Sequence, residues 1–138
     1  MKLYHHDIEI ELDDTWWEEA CMKKFTPTTI SYLVNTEAAK GQNIFNVKIN
    51  DVSPVKRKPG VGIFNDNEEA SAKDRVVSIL SGFITGSAIP PVEVVPASKD
   101  SGFQYKLVHG AHRFYCSLAA GFTHVPAIEG FDINALDE

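Results

Sequence analysis

Apolar residues recur along the chain at two spacings, every second residue or every third and fourth, and the changes between them mark out the elements. Ile8, Ile10 and Leu12 alternate with Asp7, Glu9 and Glu11, which predicts a strand over 2–12 at a sheet edge. Thr15 and Glu18 stand in capping-box positions, where a hydroxyl and a carboxylate satisfy the free N–H groups that open a helix; this helix is expected to run to about residue 25. Thr26 before Pro27 reads as an N-cap followed by proline at the first helical position. The second helix so predicted passes Ile30 and Leu33 to about residue 39, before Gly41. Phe45, Val47 and Ile49 alternate with Asn46, Lys48 and Asn50 in a strand over 44–50. Val76, Ile79, Leu80 and Phe83 recur at helical spacing within 68–84, the apolar stripe of an amphipathic helix. Pro90-Pro91 starts a strand through Val94, and Phe103, Tyr105 and Leu107 alternate in another. A helix follows residue 110 and stops at Gly121, which tolerates the left-handed backbone of a helix end. Val125-Pro126-Ala127-Ile128 then resumes extended structure. This order implies an α+β fold. A small mixed sheet packed with helices occupies 43–138, and a strand-helix-helix extension, a cap or dimerisation arm, occupies 1–42.

A chain of 138 residues fits one domain with a real core. No apolar run approaches the roughly 18 to 20 residues that span a bilayer, and the acid-rich N-terminus is the opposite of a targeting peptide. A cytoplasmic location without membrane contact is expected. Cys21 and Cys116 are far apart and imply no disulfide framework; Cys116 reads as a small core residue. His5 and His6 are neighbours on a predicted strand, so they point to opposite faces and read as surface residues rather than metal ligands. Trp16 and Trp17 read as core or interface anchors. The net charge of −6 argues against non-specific DNA binding, which rests on phosphate neutralisation.

The chemistry concentrates at His109-Gly110-Ala111-His112-Arg113, where a strand turns sharply into a helix. Glycine leaves the backbone open to close approach. The first helical N–H groups lack internal partners and carry the positive end of the dipole. His112 and Arg113 add donors and charge, so Gly110 to Arg113 reads as an anion site, most naturally for phosphate.

The segment G-A-H-R, followed by a small-residue helix, Ala-Gly and Val-Pro, resembles the G-x-H-R box of the ParB N-terminal domain and sulfiredoxin superfamily. Ile89-Pro90-Pro91-Val92-Glu93-Val94 is similar to the strand that precedes that box. The likeness extends over residues 46–129. It implies a ParB/sulfiredoxin-like fold and a nucleotide ligand (ATP, ADP or CTP), with magnesium held mostly by its phosphates. It also implies an arginine after the 44–50 strand facing the phosphates, matched here by Arg57 with Lys56 as fallback. On the 68–84 helix it implies a basic residue and a hydroxyl one turn later, matched by Arg75 and Ser78, with Lys73 a competing match.

Departures from the family pattern limit the chemistry. Sulfiredoxins carry a cysteine where this chain has Ala111, so no thiolate is available there and sulfinic acid reduction is excluded. The partitioning branch carries a downstream helix-turn-helix domain, of which these residues show no pattern. A kinase branch has a histidine at the Ala111 position and needs a general base; Asp51, Glu68 and Glu93 are candidates by location alone. The expectation is therefore a nucleotide- or phosphate-binding protein that hydrolyses the nucleotide, transfers its phosphoryl group, or senses it. The alternatives are a non-enzymatic regulatory or interaction protein of plasmid or phage type, with a partner or second copy on the N-terminal third, and a DNA-acting ParB-like nuclease.

Overall fold

The computed structural model describes residues 1–55, 62–64 and 69–131. The expected α+β architecture is present. A hairpin of β1 (Lys2–His5) and β2 (Ile8–Glu11) precedes a short helix α1 (Asp14–Glu19). A mixed sheet follows, built from β3 (Phe45–Lys48), β4 (Val92–Pro96), β5 (Tyr105–His109) and β6 (His124–Glu129) in the spatial order β3-β6-β4-β5. β4 and β6 run parallel, and the other two pairings are antiparallel. Two longer helices, α2 (Glu69–Thr85) and α3 (Ala111–Ala120), contact each other, and α3 also contacts β4 and β6. Val76 and Leu80 of α2, Phe114 and Tyr115 of α3, and Val92, Val94 and Val125 of the sheet are fully buried together.

The N-terminal third differs from the pattern-based expectation in three places. Residues 2–12 form two strands joined by a tight turn at His6-Asp7. Leu3 faces Ile10 and His5 faces Ile8 across the hairpin, so the inward positions pass from odd to even numbers at the turn; His6 takes φ 58° to make it. The cap of α1 is Asp13 rather than Thr15: its carboxylate accepts from the Thr15 amide at 2.8 Å and hydroxyl at 2.7 Å. The helix is six residues long and ends where Cys21 turns left-handed at φ 64°.

No α-helix forms over 27–39; the segment bends and closes with a single 3₁₀ turn at Glu37–Ala39. Its backbone groups bond to the sheet side instead. The Leu33 carbonyl accepts from the Ile89 amide at 2.9 Å, the Asn35 amide donates to the Ile89 carbonyl at 2.8 Å, and the Ile30 carbonyl accepts from His124 at 3.0 Å. Thr28, Thr29 and Ile30 are β-branched and weak helix formers, so these tertiary bonds win. Tyr32 then stacks on Phe83 with ring centroids 5.7 Å apart. Through Ile10, Leu12, Ala20, Met22 and Tyr32, residues of the first 42 join the same hydrophobic core as the sheet and α2–α3.

His5 is buried, not a surface residue, at 1% exposure. Because β1 ends in a tight turn, its ring swings inward between two partners. Nε2 lies 3.1 Å from the Ile49 carbonyl and Nδ1 lies 3.0 Å from the Tyr115 hydroxyl. A carbonyl can only accept, so Nε2 carries the proton and Nδ1 accepts from Tyr115. The Tyr115 oxygen in turn accepts from the Val55 amide at 2.9 Å. Burial, the largest cause, lowers the His5 pKa from its ordinary 6.5. The unfolded chain therefore binds a proton that the folded state refuses. We expect stability to be full above about pH 6.5 and to be lost as pH falls through the lower folded value. Urea unfolding at several pH values checks this: the decline should shrink in His5→Gln, and an equal decline in both proteins would overturn the assignment.

Candidate functional site

The conformation of Gly110 builds the site. It takes φ 97° at the N-cap of α3 and supplies no side-chain cap. The first intrahelical bond runs from the Phe114 amide to the Gly110 carbonyl at 2.9 Å. The amides of Ala111, His112 and Arg113 therefore have no acceptor within the helix. At the other end Gly121, at φ 96°, closes α3 with bonds to Leu118 and from Phe122 to Ser117, the paired pattern of a left-handed helix stop. The strand-turn-helix-stop order expected for this stretch is the order observed.

A cleft of about 340 Å³ opens on the first turn of α3. Gly110, Ala111 and His112 form one wall, His109 continues it from β5, and Arg75 of α2 and Val55 stand opposite. Among the described residues, those that line it include an arginine and two histidines and no carboxylate. By contrast, a hollow beside β2 and α1 carries Glu11, Asp13 and Asp14. The His112 ring stacks on Phe64, centroids 5.9 Å apart, and its Nε2 is buried.

The sequence-predicted residues divide accordingly. Arg75, Gly110, Ala111 and His112 are brought together in the cleft wall. Ser78, one turn beyond Arg75 on α2, is exposed and lies outside that wall. Arg57, Lys56 and most of the 59–67 loop fall outside the described residues, as does Glu68. Asp51 and Glu93, considered as bases, are not cleft walls.

Arg113 also turns away from the wall. A Cβ placed on Gly110 would lie 2.8 Å from the Arg113 Nη2 and 2.8 Å from the Val92 Cγ1. The space that glycine leaves is thus taken by the Arg113 guanidinium, not left open for a ligand. The Arg113 Nε is buried with no hydrogen-bond partner among the described residues. Its charge reaches Tyr32, whose hydroxyl donates to the Pro90 carbonyl at 2.6 Å; burial pushes that hydroxyl's pKa well up, and Arg113 acts in the opposite sense.

His109 stood in the stretch singled out from the sequence, whereas Val55 and Phe64 were not identifiable as site residues from their sequence positions. Val55 reaches the cleft because residues 52–55 run beside β5, where Val52 bridges to Tyr105 and the Ser53 amide donates to the Tyr105 carbonyl at 2.9 Å. No local pattern encodes that pairing. Cys116 is fully buried and burial pushes its thiol up, so it offers no thiolate. Among the described residues no cluster of three or more His, Cys, Asp or Glu could hold a metal ion, and no helix is long and apolar enough to cross a membrane. No protein-family model, curated protein or solved structure gives a significant match to this chain.

Gly110→Ala should lower stability by about 2 to 4 kcal/mol, combining a left-handed backbone for a residue with a Cβ and two close contacts. Chemical denaturation measures this, and a loss below about 0.5 kcal/mol, the size of an ordinary surface change, would contradict the geometry.

Proposed function

We propose that this protein binds a phosphate-bearing ligand, a nucleotide such as ATP, ADP or CTP, at the cleft on the N-terminus of α3. The observation that carries the reading is the composition of that cleft. It joins first-turn amides of a ten-residue helix to Arg75, His109 and His112, with no carboxylate among the described lining residues. A helix N-terminus favours anions through its dipole and free N–H groups, and Arg75 adds a fixed charge suited to phosphate oxygens. The resemblance of G-A-H-R to the ParB and sulfiredoxin box supports the same ligand and the same superfamily. Magnesium would enter on the nucleotide phosphates, since phosphate oxygens and water are its usual ligands. Turnover would fall to His109 or His112, the imidazoles of this wall, as donor or acceptor of a proton. Positioning and charge are most of what phosphoryl transfer asks of a protein.

Calorimetric titration with ATP, ADP and CTP, each with magnesium, tests the reading. We expect Arg75→Ala and His112→Ala each to weaken binding by about 1.5 to 3 kcal/mol, the scale of a charged hydrogen bond. Affinity unchanged in both variants would remove the ligand from this cleft.

A second reading, a protein-interaction role, draws on a separate observation. Ile30 and Leu33 are 52% and 61% exposed on the irregular N-terminal segment. Trp16 and Trp17, expected as anchors, are half-buried against the core, so any partner surface would centre on Ile30 and Leu33. Light scattering across a concentration series, with Leu33→Asp as control, checks self-association; a mass that stays monomeric throughout would reject it.

A further inference from the structure

The Ser53 amide is held by the Tyr105 carbonyl at 2.9 Å. Pro54 carries no backbone N–H, so the next donor of this run is the Val55 amide. It donates to the Tyr115 hydroxyl at 2.9 Å. Val55 lines the α3 cleft with Arg75, His109 and His112. One side-chain oxygen on α3 thus holds this part of the wall, and that oxygen is shared: its own hydrogen goes to the His5 Nδ1 at 3.0 Å. His5 itself does not line the cleft.

The arrangement suits one protonation state. The His5 Nε2–H is committed to the Ile49 carbonyl at 3.1 Å, and Nδ1 accepts the hydroxyl hydrogen only while it keeps its lone pair. A second proton on the ring turns Nδ1 into a donor. The Tyr115 oxygen then faces two N–H donors, His5 and Val55, and its hydrogen loses the acceptor it had. The imidazolium, a charged donor, makes the stronger bond, so the Val55 amide gives way. The titratable groups facing the His5 ring are Tyr115 from α3 and His6 from the hairpin turn, whose ring lies 4.9 Å away and opposes a charge on His5. Phe114 packs on it at 5.3 Å. The backbones of Ile49 and Val52 face it from the exit of β3, and no carboxylate is among the described groups that shift it.

We infer that protonation of His5 detaches the Val55 amide, so that acid loosens one wall of the α3 cleft through the Tyr115 hydroxyl. This control acts on the wall whatever ligand the cleft takes, and so stands apart from the phosphate reading. Burial holds the folded ring neutral at its ordinary 6.5, so the release comes at lower pH.

Hydrogen exchange of the Val55 amide, followed by NMR on the full chain from about pH 7.5 to about pH 4 with intrinsic rates divided out, tests the coupling. The Ile89 amide, bonded to the Leu33 carbonyl at 2.9 Å, serves as reference, and the imidazole carbon shifts of His5 report its charge. In the wild-type chain Val55 protection should fall by at least about tenfold, the scale of one lost hydrogen bond, along the His5 titration, while Ile89 stays protected. His5→Gln, which cannot titrate, should remove the fall, and Tyr115→Phe should leave Val55 weakly protected at every pH. A His5 ring that stays uncharged throughout, Val55 protection that ignores the His5 titration or survives in Tyr115→Phe, or a fall that persists in His5→Gln overturns the inference. So does a fall shared by Ile89, which marks unfolding of the whole chain.

Discussion

The hydroxyl of Tyr115 ties together three stretches of chain that are distant in sequence. It donates to His5 at the end of β1 and accepts from the Val55 amide beside β5, while the His5 Nε2–H donates to the Ile49 carbonyl after β3. Each polar atom in this chain is buried or half-buried, and each finds its partner only if the other two elements are in place. An unsatisfied buried polar group costs about 1 to 3 kcal/mol, so the arrangement is cooperative: hairpin, β3 exit and α3 hold one another. The same hydroxyl bonds the Val55 amide, and Val55 is a wall of the α3 cleft. A buried polar network that serves the fold therefore also reaches the candidate site.

Gly110 plays the corresponding part on the other side of α3. Its positive φ starts the helix abruptly, and its missing side chain lets the Arg113 guanidinium lie against the backbone next to Val92. The arginine most prominent in the motif is thereby drawn behind the turn, while Arg75 from α2 faces the cleft. The basic character of the cleft comes from residues on separate elements, α2, β5 and α3, brought together by α2 lying against α3. In a chain of net charge −6, the carboxylates Glu11, Asp13 and Asp14 line a different hollow, which reaches the cleft side through Phe64, the ring stacked on His112.

What could be read from residue order was whatever a few neighbouring residues settle among themselves. The apolar stripe of Val76, Leu80 and Phe83, the alternation in β3 and β5, the turn at Gly110 and the left-handed stop at Gly121 depend on backbone sterics and on burying one face, which act over a turn or two. Hence α2, α3 and the strands of the four-stranded sheet were legible, whereas the grouping of Arg75 with Gly110, Ala111 and His112 was implied only by the resemblance of the G-A-H-R segment. Tertiary structure decided the rest. Residues 27–39 carry a helix-start signal, yet their backbone groups bond to Ile89 and His124, partners invisible to any local window. The burial of His5 required the hairpin turn at His6-Asp7 and a partner on α3, and the direction of Arg113 required the gap between Gly110 and Val92. Val55 became a cleft wall through a bridge to β5 and a hydroxyl on α3. Local sterics are written in neighbouring residues, whereas a hydrogen-bond partner across the fold is chosen only when the chain closes on itself.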